Sequence, residues 1–127
     1  MKLSIYFENT KGKGVLSTAD SNGMVTAAVY ARPHVMDDGT VAFIMADRLT
    51  HKNLESNPHA VYLFIEAGEK YVGKRLYLTK MKEENSPLID TLRRRDRCPV
   101  DEEYMKQNRY LVQFKIDKTL PLIGDRE

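Results

Sequence analysis

One cysteine, Cys98, is all the thiol chemistry that the 127 residues carry. A lone cysteine excludes an intramolecular disulfide and a multi-cysteine metal site, and it suits a reducing cytoplasm. Long apolar runs are missing too: none approaches the roughly 20 residues that span a bilayer. The opening MKLSIYFENTKGKG has neither the apolar region nor the small-residue cleavage site of a signal peptide. The expectation is a soluble, cytoplasmic protein with no membrane partner. Charge of one sign is also scarce, since 20 basic against 18 acidic residues leave a formal +2. That balance excludes a general polyanion binder, so any anion recognition must be local. There is no internal repeat and no low-complexity linker, and the length fits a single domain over 1–127 with one core.

What the chain does have is strand patterning. Val15 to Ala19 and Met24 to Val35 are rich in β-branched and small residues, and Asp20-Ser21-Asn22-Gly23 between them supplies the turn of a hairpin. Pro33 has no ladder donor and places the far end of the second strand at an edge or bulge. Asp37-Asp38-Gly39 reverses the chain into Val41 to Ala46. Ala60 to Glu66, a long strand from Tyr71 to about Lys82 with a bulge at Gly73, and an alternating strand around Tyr110 to Ile116 follow. A short helix over Ser4 to Thr10 is placed to cover a barrel opening, and Ser86-Pro87 and Asp101 to Gln107 begin and form further helices. The sum is a mainly β fold, a six-stranded antiparallel barrel with three or four short helices.

Between two of the strands, ADRLTHKNLESNPHAV runs from a polar turn into a helix of about two turns that Pro58 ends. Thr50 is the expected N-cap, with Leu49 and Leu54 stapling the entry. So short a helix needs outside support, because nucleation is unfavourable. Its start is also crowded with the wrong charge: Arg48, His51 and Lys52 sit at the positive end of the helix dipole, where acidic residues normally contribute about 0.3–1 kcal/mol each. A phosphate monoester bound by free amides, the Thr50 hydroxyl and these cations removes the conflict. The bland alternative is a solvated basic surface.

The hairpin GVLSTADSNGMVTAAVYAR together with DGTVAFIMADRLTHKNLESNPHAVYLF resembles the pyridoxamine 5′-phosphate oxidase-like FMN-binding split-barrel proteins, over roughly Gly14 to Lys82. The resemblance implies a homodimer with FMN at the subunit interface. By position it implies flavin contacts from Ala28, Val29, Tyr30 and Ala31, a phosphate ligand in Arg32, and lining from Met45 and Ala46. It matches the family's hydroxyl-then-basic pair to Thr50, His51 and Lys52, with Arg48 compensating for a histidine where the oxidases more often have arginine. Arg75, more than Lys74, stands where the partner subunit reaches the flavin. No catalytic residue is assigned.

The remaining features carry bland readings. Arg93, Arg94, Arg95 and Arg97 form a solvated face, so no nucleic-acid partner is expected. His34, His51 and His59 show no metal-ligand spacing among themselves, and no metal is expected. Cys98 has no histidine nearby in sequence and is followed by Pro99, which argues against a nucleophile. The functions left open are an FMN-dependent oxidoreductase acting on an unknown small substrate, an FMN-binding or electron-transfer protein without turnover, and a barrel that binds another phosphorylated ligand.

Overall fold

A computed structural model of the chain describes residues 2–85 and 109–124. The order of elements is α1 (Leu3–Asn9), β1 (Gly12–Ala19), β2 (Val25–Val29), β3 (His34–Val35), β4 (Val41–Ala46), α2 (Leu49–Ser56), β5 (His59–Glu66), β6 (Gly73–Glu84) and β7 (Arg109–Pro121). The helices expected at Ser86-Pro87 and Asp101 to Gln107, the arginine run and Cys98 lie outside the described residues.

All seven strands form one sheet in the order β2-β1-β5-β6-β7-β4-β3, and every pairing is antiparallel. Two strands separate β5 from β4 in that order, yet the rings of Tyr62 on β5 and Phe43 on β4 lie 4.9 Å apart. Only a sheet curled on itself brings them together, so the architecture is a barrel closed around an aromatic core. Phe43 also meets Phe114 and Tyr30, each at 5.9 Å and edge-on, the arrangement that ring quadrupoles favour. Phe7 and Tyr6 of α1 enter the same core, so α1 does cover one opening.

Among the described residues the strand count is seven rather than six, because Met24 to Val35 is not one strand. It divides into β2 and β3, and these are the two opposite edges of the sheet. The link Tyr30–Pro33 therefore crosses the seam of the barrel. Pro33 is buried at the seam and cannot donate to a ladder. Arg32 turns inward, where its Nη1 donates to the carbonyls of Phe7 and Thr10, both at 2.6 Å, and ties the end of α1 to the seam. Gly73 begins β6 rather than bulging it. The register shifts lie at Tyr77/Leu78 and Lys80/Lys82, where the long strand bends to follow the curl.

The β1–β2 hairpin forms as the sequence predicts. One oxygen of Asp20 accepts from the amides of Asn22 and Met24, both at 2.9 Å, and Gly23 takes φ 84°, a left-handed value that a side chain disfavours. Exchanging Asp20 for alanine removes both acceptor bonds and should lower unfolding stability by about 1 kcal/mol in a urea titration. No change in midpoint would show that Gly23 alone sets this turn.

Candidate functional site

The corner between β4 and β5 is built from a buried strand that must leave the barrel wall at once. Every residue of β4 except half-buried Ile44 is buried, and the chain turns sharply after it, with the Arg48 amide donating to the Ala46 carbonyl at 2.9 Å. Arg48 keeps extended angles and is itself the N-cap; its carbonyl accepts the first helical bond from Lys52 at 3.0 Å. The helix therefore starts two residues earlier than the sequence predicts, and Thr50 is not its cap. That shift turns Thr50 and Leu54, four apart on one face, into the interior at 6 % and 2 % exposure. It turns Leu49 outward at 57 % exposure, so the expected Leu49–Leu54 staple does not form.

The support this short helix needs comes from packing. It lies against β1, β2 and β4, and buried Asn53 donates to the Thr18 hydroxyl at 3.2 Å. Its C-terminal end is held by Asn57, whose side chain donates to the Asp20 carbonyl at 3.4 Å. Its first turn has no side-chain cap bond from Arg48 and no acidic residue of its own. The amides of Leu49, Thr50 and His51 thus end the helix with no capping side chain from Arg48, and the Arg48 and Lys52 side chains are exposed one turn apart beside them.

His51 departs from the expected grip. Its side chain is 5 % exposed, with Nδ1 3.1 Å from Asp47 Oδ1 and 3.5 Å from Glu55 Oε1, and Nε2 2.8 Å from Glu83 Oε2. The ring stacks on Tyr110, 4.3 Å between centroids and 6° from parallel. Three carboxylates around one imidazole leave no room in its immediate surroundings for a phosphate. Burial works to raise the Glu83 carboxyl, but hydrogen bonds from Lys80 and His51 outweigh it and hold the group below its ordinary range.

The other expected contacts divide into three sets. Ala28, Tyr30 and Ala31 are half-buried at the edge and seam, and Val29 is 67 % exposed. Met45 and Ala46 are buried in the wall. The guanidinium of Arg32 faces α1, as described, and that of Arg75 reaches the C-terminal end, donating from Nε to the Pro121 carbonyl at 2.9 Å and from Nη2 to the Gly124 carbonyl. Neither hydrogen-bonds at the start of α2 through the contacts described. Register does relate two of them: Val29 pairs with Val15, Val15 with Leu63 and Leu63 with Arg75, so Val29 and Arg75 share one outward face three strands apart. At ~4.8 Å per strand the separation is about 14 Å.

Asp47, Glu55, Glu83 and Tyr110 are not among the site residues that the sequence points to. The spacing of Asp47, His51 and Glu55, each four residues from the next, was a visible signal that comparing histidine with histidine passes over. Glu83 and Tyr110 come from β6 and β7, and no local pattern points to them.

No protein-family model matches the sequence, and no curated protein matches it. Solved structures do. An FMN-binding protein from Syntrophomonas wolfei subsp. wolfei is similar with a TM-score of 0.75 and 23 % identity, over 98 % of this chain and 86 % of that one. HutZ, the heme storage protein from Vibrio cholerae, gives 0.69 and 16 %, over 93 % and 90 %. A candidate pyridoxamine 5′-phosphate oxidase from Lactobacillus delbrueckii gives 0.64 and 14 %, over 94 % and 92 %.

Proposed function

From a chain with the split-barrel fold of the pyridoxamine 5′-phosphate oxidase-like proteins, we propose an FMN-binding flavoprotein with oxidoreductase activity on a small substrate. The observation that carries this is the first turn of α2, which has no capping bond from the Arg48 side chain and no acidic residue, with Lys52 exposed beside it. An anion there balances the dipole and meets the Lys52 ammonium. The fold of a solved FMN-binding protein supports the choice of flavin among phosphorylated ligands.

The residues fit such a ligand at its phosphate end through Arg48, Lys52 and the amides of the first turn. They fit a flat ring along β2, an edge strand among the described residues, with small side chains at Ala27 and Ala28 and at Ala31 just beyond it. Bound FMN supplies hydride exchange at its N5 position. The chain supplies orientation and charge: the cations fix the phosphate, edge amides and carbonyls offer hydrogen bonds to ring heteroatoms, and the wall behind Met45 and Ala46 keeps water out. His51 has no part in the grip in this account, because its ring nitrogens face carboxylates.

A homodimer belongs to the proposal. Val25 and Val29 on β2 are 79 % and 67 % exposed, and they continue across the outward face through half-buried Val15, Val61 and Leu63. A second copy on this face would cover an apolar surface that solvent otherwise meets. It would also bring the partner's strand face, Arg75 included, toward the flavin.

The visible spectrum of the purified protein, with and without added FMN, tests the reading. Bands near ~370 and ~450 nm that stay with the protein through gel filtration are expected. An intense haem Soret band in their place, or no retained flavin after reconstitution, contradicts it. Stopped-flow reduction of the bound flavin by NADH or NADPH then separates turnover from storage or electron carriage.

A further inference from the structure

The cluster around His51 has a donor problem. A neutral imidazole carries one N–H, and both its nitrogens face carboxylate oxygens, Nδ1 toward Asp47 and Glu55 and Nε2 toward Glu83. If Nε2 holds the hydrogen and donates to Glu83, the Nδ1 lone pair is aimed at two further acceptors from a side chain 5 % exposed. The other tautomer moves the conflict to Glu83. A cation between Nδ1 and the carboxylates removes it.

We propose that Asp47, His51 and Glu55 bind a divalent transition metal of the Zn2+ class, with Glu83 as the carboxylate that orients the histidine. The three donor atoms lie within 4.8 Å of one another. Bonds of about 2.1 Å in a tetrahedron place ligand atoms about 3.4 Å apart. The two edges from Nδ1, 3.1 and 3.5 Å, already bracket that value. The remaining edge closes by rotation of Asp47 and Glu55, whose side chains are 57 % and 59 % exposed. Carboxylates and imidazole are ligands such an ion accepts.

Behind the site stands the arrangement that ligating histidines use: the far nitrogen gives its hydrogen to a carboxylate, which raises the basicity of the near one. Glu83 does this at 2.8 Å and is held in turn by Lys80 at 2.5 Å. The Tyr110 stack fixes the plane of the ring. A proton on Nδ1 is the competing occupant, but it makes one strong bond, whereas two carboxylates converge there. Three protein ligands leave a fourth position for water. The stripe lies beside that of Arg48 and Lys52 on α2, so the metal and the proposed phosphate grip are separate sites.

Calorimetric titration of the purified full chain with zinc chloride tests this, with thermal unfolding in parallel. One site per chain is expected, and zinc should raise the melting temperature. Asp47→Asn and Glu55→Gln should each weaken zinc by at least about tenfold. Glu83→Gln, which removes no ligand, should weaken it by about 10–100-fold. Cys98→Ser should bind as the parent does. Affinity unchanged in the Asp47→Asn, Glu55→Gln double variant, dependence on Cys98, or no binding up to ~1 mM zinc would overturn the proposal.

Discussion

FMN affinity falls about tenfold to a hundredfold when Lys52 is replaced by alanine, while riboflavin affinity is unchanged. The expected size is that of one charge-assisted contact, about 1.5–3 kcal/mol. Lys52 is exposed on α2, and among the described residues no hydrogen bond or ion pair of its side chain holds the fold. The loss therefore reports on the phosphate alone, since riboflavin has the ring and lacks the anion. It should shrink as salt rises, because an exposed ion contact is screened. Parallel losses for both ligands would move Lys52 away from the phosphate.

The largest stability effect is expected at Phe43. Its side chain is 2 % exposed and stands at the centre of the ring cluster, against Tyr62, Phe114 and Tyr30. The Tyr62 contact joins β4 to β5, which is not its neighbour in the sheet, and the Tyr30 contact joins it to the link across the seam. Phe43→Ala should lower the unfolding free energy by about 3–5 kcal/mol, from lost transfer energy and the cavity that remains. A denaturant titration should show the midpoint falling with an unchanged slope. A loss under about 1 kcal/mol would mean that the curled sheet is not held across its core by these rings.

Much of this fold was readable because strand patterning is local. Val41 to Ala46 and the Asp20–Gly23 turn carry their signals in consecutive residues, and α1, β4 and β5 lie where the pattern puts them to within a residue or two. The seam was not readable. Tyr30 to Arg32 look as extended as the residues on either side, and only the closing of the barrel makes them a link between opposite edges.

The site divides along the same line. That α2 would be short, basic at its start and in need of tertiary support follows from ADRLTHKNLES and the Pro58 after it. Its phase does not, since a shift of two residues exchanges which of Leu49 and Thr50 is buried, and the sharp turn out of β4 decides that. His51 reads as a cation among cations until β6 and β7 bring Glu83 and Tyr110 to it. Arg32 and Arg75 were assigned by position in a family pattern, which records no backbone carbonyls; those carbonyls hold both guanidinium groups here.

The central claim is a phosphate-directed grip at the start of α2, and the most direct measurement compares FMN with riboflavin on the unaltered protein by quenching of flavin fluorescence. Saturable binding of one FMN per chain, at least about tenfold tighter than riboflavin, is the predicted result. Equal affinities, or no saturable binding of either, would contradict it.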